Sequence, residues 1–558
     1  MSSIPNTQYA VQLTGPGEMR LNKEKPVSEL KPTQFLAKVE AVGLCFSDLK
    51  LLKQFSGHVR KSPVTSGLSE QVLSEIPSYV PGEKPTVPGH EVVCRVVAAG
   101  SAVKEHHTGN RYLVQADYRA WPTAGANAAF GYNFEGALQE YVLFDERVMI
   151  APNGDHYLIP VEDTLGASQA ALAEPWACVE DSYVTPERQT IKPNGRLLIV
   201  AEDGHAIEGV AKAFAPVAKP AKVTAFCANT TQREAIEGLG IDTEFVPAID
   251  ALPTEAFDDI VYFGAKKQTV EALNSRLAAR GIMNVVLGGR KFGAPVSVGV
   301  GRVHYGLTRW VGTTGSNAAE SYTMIAATGE LRENDRVLVV GAGGPMGQMH
   351  ALRSLCAPLK GIAVVATDFD NERLAGLARK AEPFTRANGA AFETVNPNEQ
   401  EIPGQFTYIT IMAPVGALVA QAIGQASPGA IVNVFAGVPA PVCHELDLDA
   451  LIEKRVFLFG TSGSTVEDMK IVLDKVRAGT LNTNASVDAI SGMAGAIEGI
   501  AAVENRTMAG KIIVYPMLRD VGLIPLAKLA EHFPAAAAKL DNGQWCKAAE
   551  DELIRSGV

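Results

Sequence analysis

The stretch Arg336-Val337-Leu338-Val339-Val340-Gly341-Ala342-Gly343-Gly344-Pro345-Met346-Gly347, followed by Gln348-Met349-His350-Ala351-Leu352, decides the fold class. A β-branched apolar run enters a glycine-rich turn, and a helical pattern leaves it, which is the start of a dinucleotide-binding βαβ unit. Gly341 lets the strand turn tightly, and Gly343 and Gly344 lack the Cβ that would hold a pyrophosphate off the backbone N–H groups. Pro345, Met346 and Gly347 open a helix whose N-terminal dipole faces the phosphates. The spacing G-x-G-x-x-x-G is one residue longer than the usual fingerprint, so the glycines alone do not carry the reading. A second strand, Ile362-Ala363-Val364-Val365-Ala366-Thr367, ends at Asp368, 27 positions after Gly341 (368 − 341). That lies near the ~20 residues expected of the acid that holds the adenosine ribose hydroxyls. A phosphate on that ribose would be repelled by Asp368, so NAD(H) is the expected cofactor rather than its phosphorylated form.

At 558 residues the chain is too long for one core, and three or four domains are expected. A balance of 47% hydrophobic and 20% charged residues is that of a globular protein. The net charge of −11 argues against nucleic acid and against an anionic membrane surface as partners. No apolar run is long enough to span a bilayer, and Met1-Ser2-Ser3-Ile4-Pro5-Asn6 lacks the basic and apolar parts of a signal peptide. Seven cysteines without a C-x-x-C pair indicate a reduced, cytoplasmic protein with no disulfide framework.

Residues 1 to about 185 are β-rich, with strands such as Phe35 to Val42 and Glu91 to Val97 between Gly/Pro/Asn turns. Three segments there carry candidate chemistry: Gly43-Leu44-Cys45-Phe46-Ser47-Asp48, Val87-Pro88-Gly89-His90-Glu91 and Leu172-Ala173-Glu174-Pro175-Trp176. Cys, His and Glu are the S, N and O ligands that zinc accepts, and three protein ligands with one open position define a catalytic zinc site.

In this order, and followed by a dinucleotide-binding unit, the three segments resemble the zinc-dependent medium-chain alcohol and polyol dehydrogenases from about residue 30 to residue 516. The resemblance implies Cys45, His90 and Glu174 as ligands of one catalytic Zn2+, with Glu91 an exchangeable or neighbouring carboxylate. It implies Ser47 as the hydroxyl that takes the substrate's proton and Asp48 as a supporting carboxylate. Glu-Pro at the third ligand is the pattern of the sorbitol, threonine and sugar dehydrogenases, and with Gly-Ala-Gly-Gly-Pro-Met-Gly it resembles the sorbitol and ketose-phosphate reductase members. The stretch from Asn110 to Tyr141 has no cysteine where many members hold a structural zinc, so no second zinc is expected. Lys50 stands where a proton-relaying histidine is common; a lysine serves there only with a lowered pKa. The insertion Leu51 to Pro85, with His58, Arg60 and Lys61, is expected to be a long solvated loop over the site, its basic residues the less favoured partners for a phosphate or sugar hydroxyls. Members are commonly dimers or tetramers, so a homo-oligomer is expected.

The middle of the chain repeats. Gly195-Arg196-Leu197-Leu198-Ile199-Val200-Ala201-Glu202-Asp203-Gly204 matches the stretch from Asp335 to Gly344 at an offset of 140 (336 − 196). Trp310-Val311-Gly312-Thr313-Thr314-Gly315-Ser316 matches Leu458 to Ser464 at 148 (460 − 312), and Asp259 to Phe263 aligns with Thr407 to Ile411 at the same 148. Two copies of one nucleotide-binding domain follow. In the first, Ala201 replaces Gly341, Asp203 replaces Gly343, and about Cys227 replaces Asp368, so a negative charge stands where pyrophosphate must approach. That copy is expected to bind no dinucleotide.

The expected fold class is therefore α/β, with a β-rich GroES-like catalytic domain and two tandem Rossmann-like doubly wound domains, the first degenerate. The boundaries are 1–188, completed by 486–516, then 189–330, then 331–485, and a helical tail at 517–558. The expected activity interconverts a secondary alcohol of a polyol, sugar or sugar phosphate with the ketone. The alternatives are an amino-alcohol or simple secondary alcohol dehydrogenase and, from another class, a non-catalytic scaffold on a retired dehydrogenase fold.

Overall fold

The computed structural model describes residues 4–557 and divides into two compact units, Met1–Glu180 with Ser464–Val558, and Asp181–Gly463. In the first, a sheet runs in the order Ile524–Pro525, Val487–Ser491, Lys511–Val514, Gln34–Gly43, Glu91–Ala99, Arg111–Val114, Leu158–Pro160, and Tyr141–Asp145 also pairs with Gln34–Gly43. Its core includes Phe35, Val39, Val42, Val92, Ile512 and Val514, while Leu36 packs in a separate cluster with Tyr141 and Leu143, so the strand Gln34–Gly43 is a near-continuous apolar run. Register brings Gly43 opposite both Glu91 and Ile513. The chain that leaves at residue 180 thus returns as a strand beside the one that delivers Cys45.

The insertion differs from a solvated loop. It continues the helix Phe46–Gln54 into the short turns Phe55–Gly57 and Val59–Lys61, then forms the helix Glu70–Ser74, capped by Ser69 Oγ accepting from Val72 N. Lys61 is fully buried, its Nζ donating to Val80 O and, at 2.8 Å, to Lys84 O. Burial lowers its pKa to about 8. Main-chain carbonyls replace water around the ammonium, which lets the segment pack.

The tail belongs to this unit. After Leu526–Lys528, Leu529–His532 and Pro534–Ala537, the helix Lys547–Gly557 buries Ala549, Glu550 and Leu553. Glu550 accepts from the backbone N–H of Ala167 and of Ser168 (2.7 Å) and from Tyr515 Oη (2.8 Å), itself the acceptor for Trp545 Nε1 at 2.9 Å.

The second unit is built on one sheet of twelve strands. Six run in the order Thr243–Phe245, Lys222–Cys227, Arg196–Ala201, Phe257–Phe263, Leu277–Val286, Arg309–Thr313; six continue as Phe457–Phe459, Ala426–Val434, Phe406–Ile411, Arg336–Val340, Ala363–Thr367, Ala391–Val395. Numbered along the chain, each half has the order 3-2-1-4-5-6 of a doubly wound sheet, with parallel pairs inside each half. The halves join antiparallel at Trp310 and Leu458, and a ribbon pairs Val296–Val298 with His444–Leu446. The alignment of Asp259 with Thr407 is off by one: Asp259 sits opposite Leu197 and Tyr408 opposite Val337, an offset of 149 (408 − 259). No helix among the described residues is long and apolar enough to cross a membrane.

Candidate metal centre and nucleotide-binding turn

Cys45 follows the strand Gln34–Gly43 and caps the helix Phe46–Gln54, so its thiol is fixed by two elements at once. Asp48, one turn into that helix and buried, ties the segments together. Its Oδ2 accepts from Cys45 N at 3.0 Å, while Oδ1 accepts from Gly89 N at 3.1 Å and lies 3.2 Å from His90 Nδ1. With the Nδ1 proton directed to Asp48, His90 Nε2 is left as a lone-pair donor, the arrangement metal-binding histidines use.

Cys45, His90 and Glu91 place one ligand atom each within 4.8 Å of one another. Glu91 is fully buried; its Oε1 accepts from Lys511 Nζ at 2.5 Å, and its Oε2 has no hydrogen-bond partner. Lys511 also donates to Leu44 O at 2.7 Å. A buried carboxylate oxygen without a partner beside a thiol and an imidazole is a donor set that fits zinc. Gly43 is required here, since a Cβ would lie 2.1 Å from Glu91 Oε2.

Glu174 lies outside that triplet but is nearly buried in the helix Ala173–Val184. Burial pushes its carboxyl up to about 7, opposed by charge on His90 and reinforced by Glu91. Ser47 is half-buried on the first turn after Cys45, and Lys50 is exposed with Nζ 5.9 Å from the Phe46 ring. Two participants carried little sequence signal. Lys511 is a lone charge opening an apolar strand, which marks it in retrospect; Tyr132, whose ring lies 6.0 Å from that of His90, had no mark.

In the second unit, Gly341 has φ +84°, a conformation that L side chains rarely adopt. Gly343 N donates to Asp368 Oδ2 at 2.9 Å, and a Cβ at 343 would lie 2.6 Å from that carboxylate. Gly344 caps the helix Pro345–Cys356, and a Cβ at Gly347 would lie 2.4 Å from Gly341 O. In the other half, Arg196–Ala201 connects to Lys222–Cys227 through only the 3-10 turn Val210–Ala213, so the helix whose dipole would meet a pyrophosphate is gone. Asp203 tolerates its side chain because Cys227 stands in the Asp368 position, and its Oδ1 accepts from Asn229 Nδ2 at 3.1 Å.

A model of the alcohol dehydrogenase GroES-like domain matches residues 31–153. The chain is 21% identical to mannitol-1-phosphate 5-dehydrogenase of Aliivibrio fischeri over 340 residues, 55% of this chain and 78% of that protein. It is 24% identical to L-sorbose 1-phosphate reductase of Klebsiella pneumoniae over 350 residues, 57% and 78% respectively. Among solved structures, 2R,3R-butanediol dehydrogenase of Bacillus subtilis shares the fold, with a TM-score of 0.51 and 16% identity over 91% of this chain and 100% of that one.

Proposed function

We propose that the chain is a medium-chain alcohol or polyol dehydrogenase, a zinc- and NAD-dependent enzyme interconverting a secondary alcohol of a polyol, sugar or sugar phosphate with the ketone. The observation that carries this reading is the Cys45–His90–Glu91 cluster with its unpartnered carboxylate oxygen.

Cys45, His90 and Glu174 would hold one zinc, with Glu91 exchanging. A zinc there supplies Lewis acidity that lowers the pKa of a substrate hydroxyl, and NAD accepts the hydride. Asp48 keeps His90 in the tautomer whose Nε2 is free. Lys511 donates to Glu91 Oε1 and fixes its direction. Ser47, two residues past Cys45, takes the hydroxyl proton, and Lys50 stands one turn further on. Residues Gly341 to Gly347 and Asp368 hold the dinucleotide, Asp368 favouring NAD through the ribose hydroxyls. Residues 189–330 read as a copy that has lost its nucleotide site. Seven cysteines without a C-x-x-C pair support a reducing, cytoplasmic setting.

The test is formation of NADH with polyols, sugars, their phosphates and amino alcohols, with chelator-treated and zinc-restored controls. Chelator-sensitive turnover of polyols or sugars is expected. Turnover confined to amino alcohols would move the substrate class, and a protein that binds neither zinc nor NAD would leave only the scaffold reading.

A further inference from the structure

The insertion carries positive charge to the edge of the metal cluster, where Arg60 acts on Glu174 only at a distance and, among the described residues, makes no ion pair. The Tyr132 ring is the junction. It lies 6.0 Å from the ring of His90, 5.0 Å from that of His58, and 5.6 Å from the guanidinium carbon of Arg60. Among the described residues, neither Arg60 nor Lys50 makes an ion pair, although Arg60 is half-buried and the chain is acidic overall. Elsewhere in this unit half-buried arginines do find carboxylates: Arg95 with Glu40 and Arg147 with Asp145 and Glu75.

His58 lies within the field of both cations. Its Nδ1 accepts from Arg60 N at 3.2 Å, so in the neutral ring the proton sits on Nε2, which remains a donor. Burial, then the charges of Arg60 and Lys50, hold its pKa down to about 4, so the ring is neutral near pH 7.

We propose that Arg60, Lys50 and His58 form an anion subsite beside the metal cluster, and that the substrate is a phosphorylated polyol or ketose whose phosphate it binds. This rests on the dehydrogenase reading above and narrows its substrate class. A phosphate monoester carries about −1.5 to −2 charge near pH 7, enough to neutralise both cations, and a guanidinium meets it with two parallel N–H bonds. The neutral imidazole supplies one more donor. A single carboxylate, as in a sugar acid, would leave one cation uncompensated.

Two measurements test this on the zinc-loaded full chain with NAD saturating. In the first, kcat/KM is compared for a hexitol, its monophosphate and the corresponding sugar acid. The monophosphate is expected to be preferred by about 100-fold or more, and Arg60→Gln to reduce that preference at least about tenfold, mostly through KM, with Arg60→Lys recovering part. In the second, calorimetry follows binding of inorganic phosphate, expected to weaken about tenfold in Arg60→Gln. Equal kcat/KM for the free and phosphorylated hexitol overturns the subsite and leaves the dehydrogenase standing. Preference for the sugar acid overturns the phosphate assignment. If no polyol is turned over in either form, the dehydrogenase reading fails; phosphate binding unchanged in Arg60→Gln overturns the subsite whatever the turnover.

Discussion

Trp310 pairs with Leu458 where the two halves of the twelve-stranded sheet meet, and each is the other's counterpart 148 residues away (458 − 310). Ser297 and Glu445 pair in the neighbouring ribbon at the same offset (445 − 297). Pairing of equivalent positions is how a twofold axis acts, and it is the geometry of an isologous dimer interface. Here it lies within one chain, so one half covers the sheet edge that the other would expose.

The halves are equivalent in strand order and unequal at the turn after the first strand, glycine-rich in one and carrying Asp203 in the other. NAD titration is expected to saturate at one per chain. Gly343→Val should abolish it, because its Cβ would lie 2.6 Å from the Asp368 carboxylate. Two NAD bound per native chain would refute the loss of the site at Asp203 and Cys227.

Lys511 and Glu91 form a buried ion pair. Lys511→Met would leave a buried carboxylate without its cation, and such a break costs about 3–5 kcal/mol. Urea denaturation of the zinc-free protein is expected to register that loss, with Lys511→Arg losing less. A stability equal to the native protein's would mean that Glu91 is held by other groups.

Glu550 is the tail's anchor. Glu550→Ala strands the N–H groups of Ala167 and Ser168 and removes the acceptor of Tyr515, each unsatisfied group costing roughly 1–3 kcal/mol. A lower thermal midpoint is expected; an unchanged one would make the tail an appendage.

His350 is fully buried, its Nδ1 2.9 Å from Tyr183 Oη. Burial and then the charge of Arg353 hold its pKa at about 3. The unfolded chain takes up a proton near 6.5 and the folded chain only near 3, so the unfolded state binds more protons in between. Stability is therefore lost as pH falls below 6.5, by about 2 kcal/mol at pH 5 from this group. Chemical denaturation from pH 7 to 5 should show a shallower decline in His350→Leu. Identical slopes would assign the acid sensitivity to other groups.

Much of the candidate cluster is legible in the chain. Cys45, His90 and Glu91 were marked by residue type, and Gly341 and Asp368 by their place at strand ends. The repeat was visible at Trp310 and Leu458. The packing of the insertion is not legible, because Lys61 reads as a surface charge, whereas Val80 O and Lys84 O solvate it inside the unit. The strand at Asp259 was displaced by one because apolar strands align almost equally well in neighbouring registers, and only the ladder with Leu197 fixes the choice.

The sequence by itself determined the chemistry available: zinc-type donors, a glycine turn with its acid, and a second turn carrying Asp203. These are properties of single side chains and of local backbone freedom. Tertiary structure alone decided that Lys511 meets Glu91 across 420 positions of chain, that Arg60 comes beside Tyr132, and that Trp310 pairs with its own counterpart. Such meetings depend on strand order and on which charges burial leaves with a partner, and no local pattern encodes either.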